Sequence, residues 1–150
     1  MTKPKQPKSH TVAEFGLDIF SGDTDLFRWF LLCYLFGKPI RSETAVTTWR
    51  LFIDNQLDTP WAIRDASWRE LSDVLVAGGY RRYDRITANG LHTCMSLLIR
   101  EYEGSLWLML SSSQDEDEFS KRLQKLHGVG PKVAAIFMVE TEEYFARRVE

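Results

Sequence analysis

Apolar positions along this chain recur at three- and four-residue spacing, the period of one helix face, and no stretch alternates as a half-buried strand would. Val12, Phe15 and Ile19 predict a short helix over 11–20, broken at Ser21-Gly22-Asp23. Residues 24–36 are apolar on nearly every side, from Leu26 to Phe36, which predicts a helix in the middle of a bundle. Gly37 and Pro39 end it. Ser42 is the expected N-cap of a helix over 43–55 carrying Ala45, Val46, Trp49, Phe52 and Ile53. Thr59-Pro60 reads as cap and first residue of a short turn over 61–64. Ser67 and Glu70 have capping-box spacing and open a helix that Gly78-Gly79 closes.

A long helix follows, with Ile86, Leu91, Met95, Leu98, Ile99 and Tyr102 as its expected inner stripe and Gly104 as its stop. Leu106 to Leu110 is a short apolar segment. Ser113 to Glu116 is a second capping-box pattern before a helix that turns Phe119, Leu123 and Leu126 inward. A last helix is expected from Pro131 to about Arg148. The fold class is therefore all-α. The expected organisation is a basic arm at 1–10, disordered for want of core-forming residues, and one helical domain at 11–150.

The 150 residues suffice for one domain with its own core. A net charge of −2 excludes a globally basic nucleic-acid binder and leaves room for a local phosphate clamp. Cys33 and Cys94 lie in apolar runs and read as buried free thiols, with no disulfide framework. The run from Leu26 to Phe36 is too short to span a bilayer, and no signal peptide is visible. No membrane partner and a cytoplasmic location, on the nucleoid in a bacterium or archaeon, are expected. His10, His92 and His127 have no metal-ligand spacing with one another or with the cysteines, so neither metal nor cofactor is expected.

The chemistry concentrates between Leu123 and Met138, where Gly128-Val129-Gly130 separates two apolar helical patterns and Pro131-Lys132 follows at once. The glycines permit a tight turn with positive φ, and Pro131 suits a first helical position. Amides at such a helix start lack intrahelical acceptors and carry partial positive charge, so they suit a phosphate. Upstream, Tyr80-Arg81-Arg82-Tyr83-Asp84-Arg85 is a dense basic–aromatic patch at a helix entrance. It reads either as aromatic packing with solvated arginines or as a contact to phosphates and exposed bases.

Leu126, His127, Gly128, Val129, Gly130, Pro131, Lys132, Ala134 and Ala135 resemble the helix-hairpin-helix motif of the endonuclease III-like superfamily of DNA glycosylases, with His127 where proline is usual. The motif spans 119–145, and the likeness extends over 26–138. It implies a bundle like that family's six-helix barrel, without the four-cysteine iron–sulfur site of many members. It also implies a protein that grips duplex DNA, damaged or abasic duplexes included, by its phosphates, with His127, Gly128, Val129, Gly130, Lys132, Arg81 and Arg82 as contacts. Lys132 takes the place of the Schiff-base lysine of the glycosylase/abasic-site lyases. Two roles stay open for it, nucleophile or phosphate contact.

The family's aspartate motif after the hairpin is missing. Glu150, 18 residues beyond Lys132 (150 − 132), is the candidate catalytic carboxylate, while Glu140, Glu142 and Glu143 read as surface charges. Family members continue past this helix. Either the chain is a reduced member or fragment, or a second chain supplies the other half. The alternative to a lyase is a non-catalytic DNA-binding or protein-interaction module on that fold.

Overall fold

A computed structural model describes residues 11–149; the expected N-terminal arm and Glu150 lie outside the described residues. Among the described residues, nine α-helices run α1 Asp23–Phe36, α2 Ser42–Asp54, α3 Pro60–Asp65, α4 Trp68–Gly78, α5 Asp84–Tyr102, α6 Leu106–Ser111, α7 Glu116–Gln124, α8 Pro131–Val139 and α9 Glu142–Val149. Among the described residues there is no strand.

The all-round apolar helix is α1, and every residue from Trp29 to Leu35 is buried. It packs against α2, α6 and α8. Each fully buried large apolar side chain contributes about 1.5–3 kcal/mol of transfer free energy. Polar atoms carried into this core are satisfied by backbone carbonyls. Trp29 Nε1 donates to Phe137 O (3.2 Å), Trp49 Nε1 to Arg28 O (2.8 Å) and Tyr80 Oη to Leu35 O (2.9 Å). These bonds fix α8, α2 and the α4–α5 loop against α1.

Local signals hold where side chain and backbone agree. Thr59 accepts from Ala62 N at the start of α3. Ser67 and Glu70 make both bonds of the capping box on α4, and Gly79 closes that helix at φ +116°. No helix among the described residues is long and apolar enough to cross a membrane.

Five details differ from the sequence expectation. The helix expected over 11–20 is two 3-10 turns, Ala13–Phe15 and Ile19–Ser21, because Gly16 turns left-handed at φ +73° and Asp18 caps the second turn through Phe20 N. The cap of α2 is Arg41, whose carbonyl already accepts from Ala45 N (3.1 Å), so Ser42 sits inside the helix. The cap of α7 is Asp115 instead of Ser113. Ser113 is buried with its hydroxyl on Met109 O (2.7 Å), and Glu118 reaches back to Gln114 N (2.6 Å).

Ile86 is exposed, since the inner face of α5 is Thr87, Ala88, Gly90, Leu91, Cys94, Met95 and Leu98. Finally, the last helix is broken at Glu140–Thr141. Both amides there bond three residues back, to Phe137 O and Met138 O. The tightened end lets α9 set Tyr144 on Trp107 (5.5 Å between ring centroids) and Phe145 on Phe119 (5.8 Å).

The two free thiols lie within the core. Burial pushes Cys33 well up, with the nearby Glu140 charge adding to it, and burial alone pushes Cys94 up. A raised folded-state pKa means stability that is complete below the unfolded thiol pKa of about 8.5 and is lost above it. Denaturation at pH 9.5 should therefore show a loss of about 1 kcal/mol per thiol relative to pH 7.5. A Cys33→Ala, Cys94→Ala double variant should remove that dependence.

Candidate functional site

The segment between α7 and α8 is a tight turn closed by Val129 N donating to Leu126 O (3.1 Å). Gly128 holds its third position at φ +85°, which a type II turn requires and which only glycine adopts without strain. The turn is seated on the last turn of α1. Tyr34 Oη donates to His127 O (3.2 Å), and a Cβ on Gly128 would lie 2.7 Å from Tyr34 Cζ. Gly90 of α5 closes in from the other side: a Cβ there would lie 2.8 Å from Tyr34 Oη and 3.5 Å from His127 Cδ2. Gly37 admits Val133, whose Cγ2 would stand 2.6 Å from a Cβ at that position. Burial, and then the Cys94 thiol, hold the Tyr34 phenol well above its ordinary range, so it remains a donor to the turn.

Val129 and Leu126 are buried below the turn, whereas His127 and Gly128 are exposed above it. Gly130 is the N-cap of α8 with no side-chain cap, Pro131 occupies the first turn, and Ala134 N takes Gly130 O (3.0 Å). Among the described residues, the amides of Gly128, Gly130, Lys132 and Val133 have no acceptor. Val129 departs from the expectation that all three turn residues offer amides, because its own N–H is spent closing the turn.

Lys132 is exposed at the second position of α8, and Lys125 is exposed at the C-cap of α7. Arg81 and Arg82 are exposed immediately after Tyr80, whose hydroxyl holds Leu35 O. Leu35 and Tyr34 are neighbours in α1, so the basic loop and the turn hang on one helical turn of α1. Lys38, just past that turn, has its Nζ 6.0 Å from the Tyr34 ring centroid. Its association with the turn was not visible in the sequence, because nothing in helical periodicity places a loop lysine. Gly79 of the same basic loop lies against Thr44, which brings the start of α2 and Arg41 alongside.

The ion pairs of the described residues all lie elsewhere. They are Arg28–Asp58, Arg64–Asp65, Arg100–Glu101, Lys121–Asp117, Arg122–Glu118 and Arg147–Glu143. None uses Lys38, Arg41, Arg81, Arg82, Lys125 or Lys132. The acidic residues nearby by sequence are Glu43 in the first turn of α2 and Asp84, which accepts from Ser72 Oγ (2.5 Å). At the far end of α1, about 21 Å away at 1.5 Å per residue, Asp23 and Asp25 hold Ser105, Trp107 and Asp18. Charge is thus segregated along α1, with unpaired cations at its C-terminal end.

Glu140, Glu142 and Glu143 do not join Lys132. Glu140 is eight residues along α8, an axial rise of about 12 Å, and accepts from Val12 N (3.4 Å). Glu142 is exposed on α9, and Glu143 pairs with Arg147. Glu150 lies outside the described residues. A 520 Å³ hollow lined by Gln114, Asp115, Glu116, Glu142, Phe145, Ala146 and Arg148 sits at the start of α7, at the opposite end of that helix from Lys125. Among the described residues, no group of three or more histidine, cysteine or acidic side chains is placed to hold a metal ion.

Compared with protein-family models, curated proteins and solved structures, the chain has no match.

Proposed function

We propose that the chain binds duplex DNA by its phosphate backbone, through the turn at His127–Gly130, the start of α8 and the cations Lys125, Lys132, Arg81, Arg82 and Lys38. The observation that carries this reading is the coincidence of acceptor-free amides with cations that no carboxylate neutralises. Lys132 adds to it. A cation in the first turn of a helix opposes the macrodipole, so its presence there is not a stability device. Amides and lysine together are complementary to a phosphate bridging them. The resemblance of 119–145 to a helix-hairpin-helix, and of the bundle to a six-helix barrel, points the same way and belongs to the same proposal.

Within this reading, Lys132 acts as a phosphate contact. Lyase chemistry would need Lys132 Nζ to attack the C1′ of an abasic sugar, with a carboxylate to stabilise the developing charge. Its exposure and its place in the motif keep that second reading in view, while Glu140 and Glu143 are committed elsewhere.

Borohydride reduction in the presence of a duplex carrying an abasic site separates the two. The expected result is salt-sensitive duplex binding without a covalent adduct. An adduct formed by wild type and lost in Lys132→Ala would establish the lyase instead. Absence of any duplex binding at low salt would remove both and leave a helical interaction domain.

A further inference from the structure

A second group of unpaired cations lies around an exposed indole. Trp68 opens α4 with 41% of its surface accessible. The guanidinium carbons of Arg69 and Arg85 stand 5.7 and 5.2 Å from its ring centroid. Arg85 comes from the first turn of α5, so packing of α5 on α4 builds the arrangement. Ile86 beside it is 63% exposed. Trp29, Trp49 and Trp107 each donate their indole N–H to a carbonyl, whereas those of Trp61 and Trp68 have no acceptor among the described residues.

Both arginines are exposed and take no part in the ion pairs of the described residues. Three carboxylates stand near by sequence: Glu70, which accepts from Ser67 N (2.8 Å), Asp84, which accepts from the Ser72 hydroxyl (2.5 Å), and Asp73, exposed one turn beyond Arg69. Among the described residues, none is within ion-pair distance of either guanidinium.

An indole carrying two guanidiniums offers flat π surface and positive charge at one spot. The complementary ligand has a flat π face flanked by anions. A duplex hides its base faces within the stack, and an acidic peptide would match the arginines while leaving the indole unused. An unpaired nucleotide stretch matches both features. We propose that Trp68, Arg69 and Arg85 form a single-strand-binding platform. An unpaired base stacks on the indole–guanidinium surface, and the arginines take the flanking phosphates. This contact is separate from the turn at Gly128 and does not depend on duplex binding there.

Fluorescence anisotropy with a labelled twelve-residue oligothymidylate tests it, beside a blunt duplex of equal length. Trp68→Ala should weaken oligothymidylate binding about tenfold or more, the scale of one lost base stack. Trp68→Phe should restore most of the affinity. Arg69→Ala with Arg85→Ala should weaken binding and flatten the salt dependence by about 1.4, at about 0.7 per phosphate contact on a single strand. Lys132→Ala should leave oligothymidylate affinity within about twofold, and Trp68→Ala should do the same for the duplex; thermal melts confirm that each variant folds. Wild-type failure to bind oligothymidylate, or Trp68→Ala binding like wild type, overturns the platform even where duplex binding persists. Displacement of oligothymidylate by an oligoglutamate as readily as by unlabelled strand would overturn it in favour of an acidic-peptide surface.

Discussion

Gly128→Ala is expected to destabilise the protein by about 2–4 kcal/mol, the sum of a left-handed backbone penalty and a steric clash in a packed site. The backbone there is at φ +85°, and the new methyl would meet the buried Tyr34 ring at Oη and Cζ. Neither partner moves easily. Tyr34 is buried in α1 and tied to His127 O, and the turn is held by Val129 beneath it. Gly130→Ala, two residues on, is the matched control. Its φ is −99° and its Cβ would point into open space, so stability should change by less than about 0.5 kcal/mol.

Urea denaturation of both variants provides the check. Gly128→Ala made on a Tyr34→Phe background should recover part of its loss, because the nearest obstructing atom is gone. Purely additive losses would show that Tyr34 does not define the seat of the turn.

Much of this architecture was legible because it is written in local signals. The all-round apolar stretch at 24–36 announces a central helix, and α1 is buried from Trp29 to Leu35. The Ser67–Glu70 box and the Thr59-Pro60 start work through bonds within four residues. The misreadings share one physical origin. Ile86 looked like an inner residue because periodicity scores hydrophobicity, whereas Ala88 and Gly90 face inward on α5. Gly90 does so because Tyr34 and His127 come too close for a side chain. Ser113 has a hydroxyl that can cap, but Arg122 and Met109 claim it in the folded chain.

The candidate site divides along the same line. Gly128, Gly130 and Lys132 could be read from their spacing around Pro131. That Val129's amide is consumed by the turn follows from its geometry, which residue order does not give. That Arg81 and Arg82 share an anchor with the turn rests on two tyrosine hydroxyls reaching adjacent residues of α1. The Trp68–Arg85 contact joins residues 17 apart (85 − 68) on different helices. No helical period places those two together.

If the cationic end of α1 holds DNA by its phosphates, as proposed, the largest consequence is electrostatic. Replacing Arg81, Arg82, Lys125 and Lys132 by glutamine removes four contacts, each contributing about 0.9 to the slope of log affinity against log salt. The slope should flatten by about 3–4, and duplex affinity at low salt should fall by about 100-fold. The substitutions are at exposed, unpaired side chains, so the fold should survive them. Lys121→Gln with Arg147→Gln, which removes two cations already paired with carboxylates, serves as the charge control.

The decisive measurement is duplex affinity by anisotropy for these three proteins between 50 and 200 mM salt, a range over which about four contacts amount to a loss of about two orders of magnitude. The expected result is steep salt dependence in wild type and in the control, and a shallow line in the fourfold variant. A fourfold variant with the wild-type slope, or a control that loses as much, would show that these side chains do not hold the DNA phosphates.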